Sequence, residues 1–207
     1  MHDRPRVIVR GGGEMATGAA RLLFLCGFPV LVLERAAPLA VRRLVSFAQA
    51  VVAGEVDVEG VPGVRVTADE VEAALGRRAF VPVLVDPEGA SLRRLAPAIL
   101  VDGRMAKRNL GTRRDDAERV IGLGPGFAAG VDVHAVVETQ RGPNLGRVFW
   151  AGRAEADTGE PAVVGGESER RVLRAPRDGP FEGRCRIGDV VGAGAVVGLA
   201  GGEPVTA

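Results

Sequence analysis

Residues 6–24, RVIVRGGGEMATGAARLLF, decide how the rest of the chain is read. Val7 to Val9 make a short apolar run suited to a buried strand. Three glycines follow, and from Glu14 to Cys26 the pattern is that of a buried apolar helix, with Gly27 placed as its C-terminal cap. A strand turning on glycine into a helix opens a βαβ unit. In the dinucleotide-binding form of that unit the first glycine makes the turn and the second lets backbone approach a pyrophosphate. The third position must be small so that helix packs on strand. Gly11, Gly13 and Ala16 satisfy G-x-G-x-x-A, and Gly18 follows in the helix. The next strand, PVLVLE, ends in Glu34, about 20 residues on, where a carboxylate would accept ribose hydroxyls. Arg35 beside it leaves the choice between NAD and NADP open.

Outward from that unit, Pro38 opens a predicted helix whose apolar positions Val41, Leu44, Val45, Ala48, Val51 and Val52 recur at helical spacing, and Gly54 stops it. EVDVEGVPGVRV predicts a hairpin around a Pro-Gly turn. Thr67 with Glu70 reads as a capping box for a short helix ending near Gly76. FVPVLVD and AILVD are further buried strands, separated by a helical turn at Ser91 to Leu95. Strands alternating with helices predict an α/β fold: a Rossmann-like, mostly parallel sheet with helices on both faces. VIGLGPGFAAG then reads as a strand entering a second glycine loop, and DVHAVVET with LGRVFWAG as a hairpin around QRGPN. The expected organisation is a Rossmann-like domain over 1–160 and a small all-β module over 168–207, joined by a polar, glycine-rich linker.

The totals narrow the function class. The chain has 207 residues and a formal net charge of +1, which gives no bulk field favouring nucleic acid or an anionic membrane. Cys26 and Cys185 are the two cysteines, too few for a disulfide framework or a zinc site. No apolar run approaches membrane-spanning length, and the N-terminus lacks a signal-peptide core. The expectation is a soluble cytoplasmic protein.

Catalytic candidates are few. Tyrosine is absent, which excludes the Tyr/Lys arrangement of short-chain dehydrogenases. His2 sits at the terminus, so His134 and Lys107, the single lysine, are the proton donors available to an NAD-dependent oxidoreductase. Lys107, Arg108 and Asn109 belong to the loop MAKRNLGT after a strand, at the edge where open α/β sheets bind ligands. Gly124 and Gly126 offer a second phosphate-sized loop, weakened by Pro125, which has no amide to donate. Asp132, His134 and Glu138 share strand parity and are candidates for a metal or proton relay; a structural histidine is the competing reading.

The tail APRDGPF…IGDVVGAGAVVGLAGG resembles half of a biotinyl/lipoyl-like module, but it contains no lysine to carry a cofactor. Its role is then structural or docking, and an exposed β edge there predicts a homodimer.

Taken together, RGGGEMATG, VRRLVSFAQAVVAGEVDVEGV, PVLVDPEG, AKRNLGT, VIGLGPGFAAGVDVHAVVET and RVLRAPRDGPF resemble the accessory-protein family of selenium-dependent molybdenum hydroxylase systems. Members of that family carry Arg-Gly-His where this chain has Arg141, Gly142 and Pro143. The resemblance implies a cytosolic role in cofactor maturation, a molybdenum hydroxylase as partner, and a tail that is half of a longer module. It makes a dinucleotide or molybdopterin cofactor the expected ligand. Gly11, Gly12 and Gly13 would cradle phosphate, Glu34 would accept a ribose hydroxyl, and Lys107, Arg108 and Asn109 would reach the distal anionic end. The alternatives are the oxidoreductase above and a non-catalytic assembly scaffold.

Overall fold

In chain order the N-terminal unit runs β1 (Val7–Arg10), α1 (Glu14–Leu25), β2 (Val30–Glu34), α2 (Gln49–Ala53), β3 (Glu55–Val58), β4 (Val61–Val66), α3 (Val71–Arg77), β5 (Val81–Val85), α4 (Leu92–Leu95), β6 (Ile99–Asp102), β7 (Arg119–Leu123), β8 (Ala135–Val137) and β9 (Val148–Phe149). The computed structural model describes residues 4–160 and 163–207, so His2 lies outside the described residues. The nine strands form one sheet in the order β3-β4-β5-β2-β1-β6-β7-β8-β9. Its seven inner strands are parallel, and the edge strands β3 and β9 pair antiparallel.

Alternation along the strands sorts the core into two layers. Val7, Val9, Val30 and Val32 face α1 and α2, where they meet Ala16, Ala20, Ala50 and Val51. Ile8, Leu31, Leu33 and Leu100 face α3 and α4, with Val71, Leu75, Leu92 and Leu95. Strands buried on both faces are near-continuous apolar runs, as β1, β2 and β5 are. The fold is the α/β architecture that the sequence predicts.

Strand order reverses at β1, because β2 lies on one side of it and β6 on the other. The carboxyl ends of β1 and β6 therefore flank the topological switch point, where open α/β sheets bind ligands.

Three local expectations are corrected. The helix from Pro38 to Val52 is replaced by irregular chain, a 3-10 turn at Arg43–Val45, and the short α2. Val41 is 89% exposed and Leu44 is 59% exposed, and of the apolar positions at helical spacing only Ala48 and Val51 are buried. Phe47 instead turns fully inward, against Gly63, where a Cβ would collide with its ring. The β3–β4 hairpin turns at Glu59 and Gly60, both at positive φ, while Pro62 and Gly63 lie within β4. A two-residue loop of that conformation suits the right-handed twist of a hairpin. Finally, Cys26 is exposed as the C-cap of α1. Only one flank of α1 is buried; Leu22, Leu25 and Cys26 lie toward solvent.

The second compact unit is Thr158–Ala207. It contains a three-stranded antiparallel sheet of β10 (Phe181–Gly183), β11 (Val196–Ala200) and β12 (Glu203–Thr206). Gly198, Ala200 and Val205 are the buried residues of those strands, whereas Phe181 and Val196 remain exposed. Among the described residues no helix is long and apolar enough to cross a membrane.

Candidate functional site

The glycine turn has a distinct reason for each of its three residues. Gly11 has φ +91° and donates its amide to Leu33 O at 2.7 Å; a Cβ there would lie 3.0 Å from Arg104 Cα. A Cβ on Gly12 would lie 2.8 Å from the Ala48 amide nitrogen. Gly13 meets nothing within 4 Å. Gly11 and Gly12 are thus required by the protein's own packing, and Gly13 is the residue that faces open space.

The turn is held from both sides. The Thr17 hydroxyl donates to Gly12 O at 2.9 Å and accepts the Phe47 amide at 2.9 Å, and the Ala48 amide also donates to Gly12 O. Glu34 Oε2 accepts the Gly12 amide at 2.8 Å, and Oε1 accepts the Arg35 amide at 2.7 Å. Each carboxylate oxygen keeps acceptor capacity for a further donor. Among the described residues, the amides of Gly13, Glu14, Met15 and Ala16 donate to no backbone carbonyl. That is the ordinary condition of a first helical turn, and with the helix dipole it favours an anion. Arg42 donates to Glu14 Oε1 at 2.9 Å and brings a cation to the same end.

Two further loops meet this turn. A Cβ on Gly103, just after β6, would lie 2.7 Å from Ala16 Cβ, so the 103–112 loop is seated directly on the start of α1. Met105 and Lys107 both have positive φ, an uncommon conformation for residues with side chains. Gly126, from the loop after β7, approaches so closely that a Cβ would lie 2.6 Å from the Arg108 amide nitrogen. Gly124 packs similarly against Thr139 and Met105. Gly124 and Gly126 therefore shape the 105–108 segment from behind.

Three of the expected ligand residues in this loop differ in availability. Lys107 Nζ is paired with Asp157 at 2.6 Å. Arg108 is exposed. Asn109 is committed at both ends, donating to Thr112 O and accepting the Thr112 amide, each at 2.8 Å.

In comparison with known proteins, 201 residues of this chain, 97% of its length, are 44% identical to the uncharacterized protein YqeB of Escherichia coli (strain K12). The chain spans 37% of that relative's length. No protein-family profile and no solved structure matches. The similarity reaches across both structural units, so the loops that meet at the switch point lie inside the shared region.

Beneath those loops lies a polar network that sequence reasoning missed. Asp102, 1% exposed, accepts the Thr112 hydroxyl at 2.6 Å and a forked pair of bonds from Arg104 Nε and Nη2. Arg10, 4% exposed, donates to Thr112 Oγ1 at 3.0 Å and to the carbonyls of Pro87 and Glu88 at 3.2 Å. Its Nε is buried without a hydrogen-bond partner among the described residues. Burial, together with the neighbouring Arg104, pulls the Arg10 guanidinium below its ordinary value. The available signal was a charged residue ending each of two otherwise apolar strands, VIVR and ILVD.

The acidic and imidazole trio is not brought together. Asp132 Oδ2 accepts the Ala128 amide, and His134 Nδ1 accepts the Val120 amide at 3.0 Å. Glu138, 1% exposed, accepts three amides, from Thr139, Gln140 and Glu155, each at 2.7 Å. These three residues serve three separate backbone segments, which corrects the metal-site expectation; among the described residues no acidic, histidine or cysteine cluster has metal-holding geometry.

Proposed function

We propose that the chain binds a nucleotide- or phosphate-bearing ligand at the glycine turn and serves as an accessory protein in the maturation of a molybdenum hydroxylase. The observation that carries the binding half is Gly13: it faces open space at the switch point, at the head of a 12-residue helix whose first amides have no backbone acceptor. A phosphate seated there would take those amides, and Glu34 retains lone pairs for a ribose hydroxyl. Arg42, Arg108 and Lys107 supply cations around the turn, Lys107 by leaving Asp157.

A molybdopterin cofactor in dinucleotide form fits this set of donors, because it carries the phosphates that the turn would hold. The chain's own residues would bind and orient such a group. The maturation role, the selenium-dependent hydroxylase as partner and a cytoplasmic setting rest on the resemblance of the quoted motifs. Neither proton donor of the oxidoreductase reading favours it: Lys107 is ion-paired, and His134 uses one ring nitrogen on Val120.

Calorimetry with NAD, NADP, AMP, CTP, GTP, pyrophosphate and molybdopterin cofactor tests the proposal. A ligand at 100 times its dissociation constant adds about 2.7 kcal/mol of stability. Binding abolished by Gly13→Val supports the cradle. Silence across the panel, or binding indifferent to Gly13→Val, overturns it and leaves the scaffold reading. Glu34→Gln is the companion variant; Glu34→Ala would also release the Gly12 amide.

A further inference from the structure

An open groove of about 620 Å³ lies between the 109–115 segment and the residues that lead into β8. Its wall includes Arg113, Arg114, Asp115, Val131, Asp132 and His134. Most of these polar groups are already spoken for. The Arg113 guanidinium is forked onto Asp115 at 2.7 and 2.8 Å, so that pair is neutral. Asp132 caps the Ala128 amide with one oxygen. Asn109 and Thr112, also in the lining, are bonded to each other, and the Thr112 hydroxyl donates to Asp102.

Two donors have capacity to spare. Arg114 makes a single bond, from Nη1 to Gly130 O at 3.2 Å, and its side chain is otherwise exposed. His134 Nδ1 accepts an amide proton, so in the neutral ring the imidazole proton must sit on Nε2. That Nε2–H has no acceptor among the described residues. Burial, with Arg114 and Arg119 nearby, pushes the His134 imidazole below its ordinary value, in the direction of the neutral ring that the Nδ1 bond requires. A neutral ring donor beside an unsaturated guanidinium is a recognition pair for an oxygen anion, because guanidinium N–H groups match carboxylate and phosphate geometry.

We infer that this groove binds a small oxyanion, the phosphate or carboxylate group of a small molecule, held by Arg114 and the His134 Nε2–H. The site is separate from the glycine turn and does not depend on its ligand. Asp132 also lines the groove, with one oxygen outside its bond to Ala128, and its charge lowers the affinity for any anion held there. Val131, 73% exposed on the wall, offers apolar contact to the rest of such a molecule.

The test uses the full chain with ¹⁵N-labelled histidine. Only His2 and His134 contribute signals, and His2→Gln assigns them. Inorganic phosphate and succinate are titrated against sodium chloride at matched ionic strength. The expected result is a saturable change in the His134 Nε2 and Hε1 shifts, with a dissociation constant of about 1 mM. It should weaken at least about tenfold in Arg114→Ala and persist in Gly13→Val. Arg114 is exposed, so an unchanged thermal midpoint verifies that its variant folds. A response to phosphate alone, or to both anions, supports the site and identifies which headgroup it takes; succinate alone likewise assigns a carboxylate. No response to either anion, an equal response to chloride, or a response that survives Arg114→Ala overturns it.

Discussion

Arg10 and Thr112 stand 102 positions apart in the chain and meet at 3.0 Å, with the Thr112 hydroxyl in turn donating a hydrogen bond to Asp102 at 2.6 Å. One hydroxyl thus links the ends of β1 and β6, the two strands between which chain order reverses. It does so on the sheet face opposite α1, while Gly11, packed against Gly103 and Arg104, and Gly103, packed against Ala16, lock the same two loops together on the α1 side. The switch point is fixed from above by glycine packing and from below by charge.

Thr112→Val tests the lower clamp. The substitution keeps the shape and deletes the acceptor used by Arg10 and Arg104 together with the donor used by Asp102. Leaving buried polar groups unpaired costs about 1–3 kcal/mol. Urea denaturation should show a loss of that size, and Thr112→Ser should recover most of it. A Thr112→Val protein as stable as wild type would mean that water or Arg104 satisfies the network unaided.

Gly12 and Gly13 should separate folding from binding. At Gly12 an alanine Cβ would press on the Ala48 amide, 2.8 Å away, and displace the segment that seats Phe47. Overpacking of this kind costs about 1–3 kcal/mol. At Gly13, φ is −66° and no atom lies within 4 Å, so alanine is tolerated within about 0.5 kcal/mol. Thermal denaturation of the two variants side by side decides this. Equal destabilisation would mean that Gly13 also has a packing duty.

Glu138 makes stability depend on acid. Burial alone would raise its pKa, but the amides of Gln140, Glu155 and Thr139 outweigh burial and hold the carboxyl below its ordinary value. The sign follows from linkage: a depressed folded pKa gives stability that is present above the unfolded value of about 4.3 and is lost as pH falls through the folded one. Glu138→Gln should therefore be destabilised at pH 7, and the gap to wild type should close as pH drops below about 4. Denaturation curves across that range are the measurement, and a gap that stays constant would show that Glu138 is not the responsible group.

The parts legible in the sequence were those governed by local period and turn chemistry. Val7–Val9, PVLVLE and FVPVLVD read as buried strands because both of their faces are apolar, and the glycine turn was marked by its spacing to Glu34. The 38–53 region defeated the same logic. Its apolar residues fall at helical spacing, yet the Phe47 and Ala48 amides are taken by Thr17 and Gly12, partners about 30 or more residues upstream in the chain. Long-range hydrogen bonds of this kind override a local pattern and leave no trace in it. The Arg10–Asp102–Thr112 network was hidden for the same reason. His134 was noticed, but the strand parity that grouped it with Asp132 and Glu138 did not apply, since β8 begins at Ala135.

The pair between Lys107 and Asp157 gives a last prediction, on affinity. Both side chains are partly exposed, so the pair itself is worth at most about 1 kcal/mol and Asp157→Ala should leave stability nearly unchanged. Its effect on ligand binding should be larger. If Lys107 reaches an anion at the glycine turn, it must first leave Asp157, and that carboxylate repels the same anion. Asp157→Ala should then tighten pyrophosphate binding by about three- to tenfold at low salt, with the gain shrinking as salt screens the charges. Calorimetry of wild type, Asp157→Ala and Lys107→Ala separates the contributions: Asp157→Ala should bind tighter than wild type, and Lys107→Ala should bind weaker because Lys107 touches the ligand. An Asp157→Ala protein that binds pyrophosphate no better than wild type would place Lys107 outside the site and leave Arg42 and Arg108 as its cations.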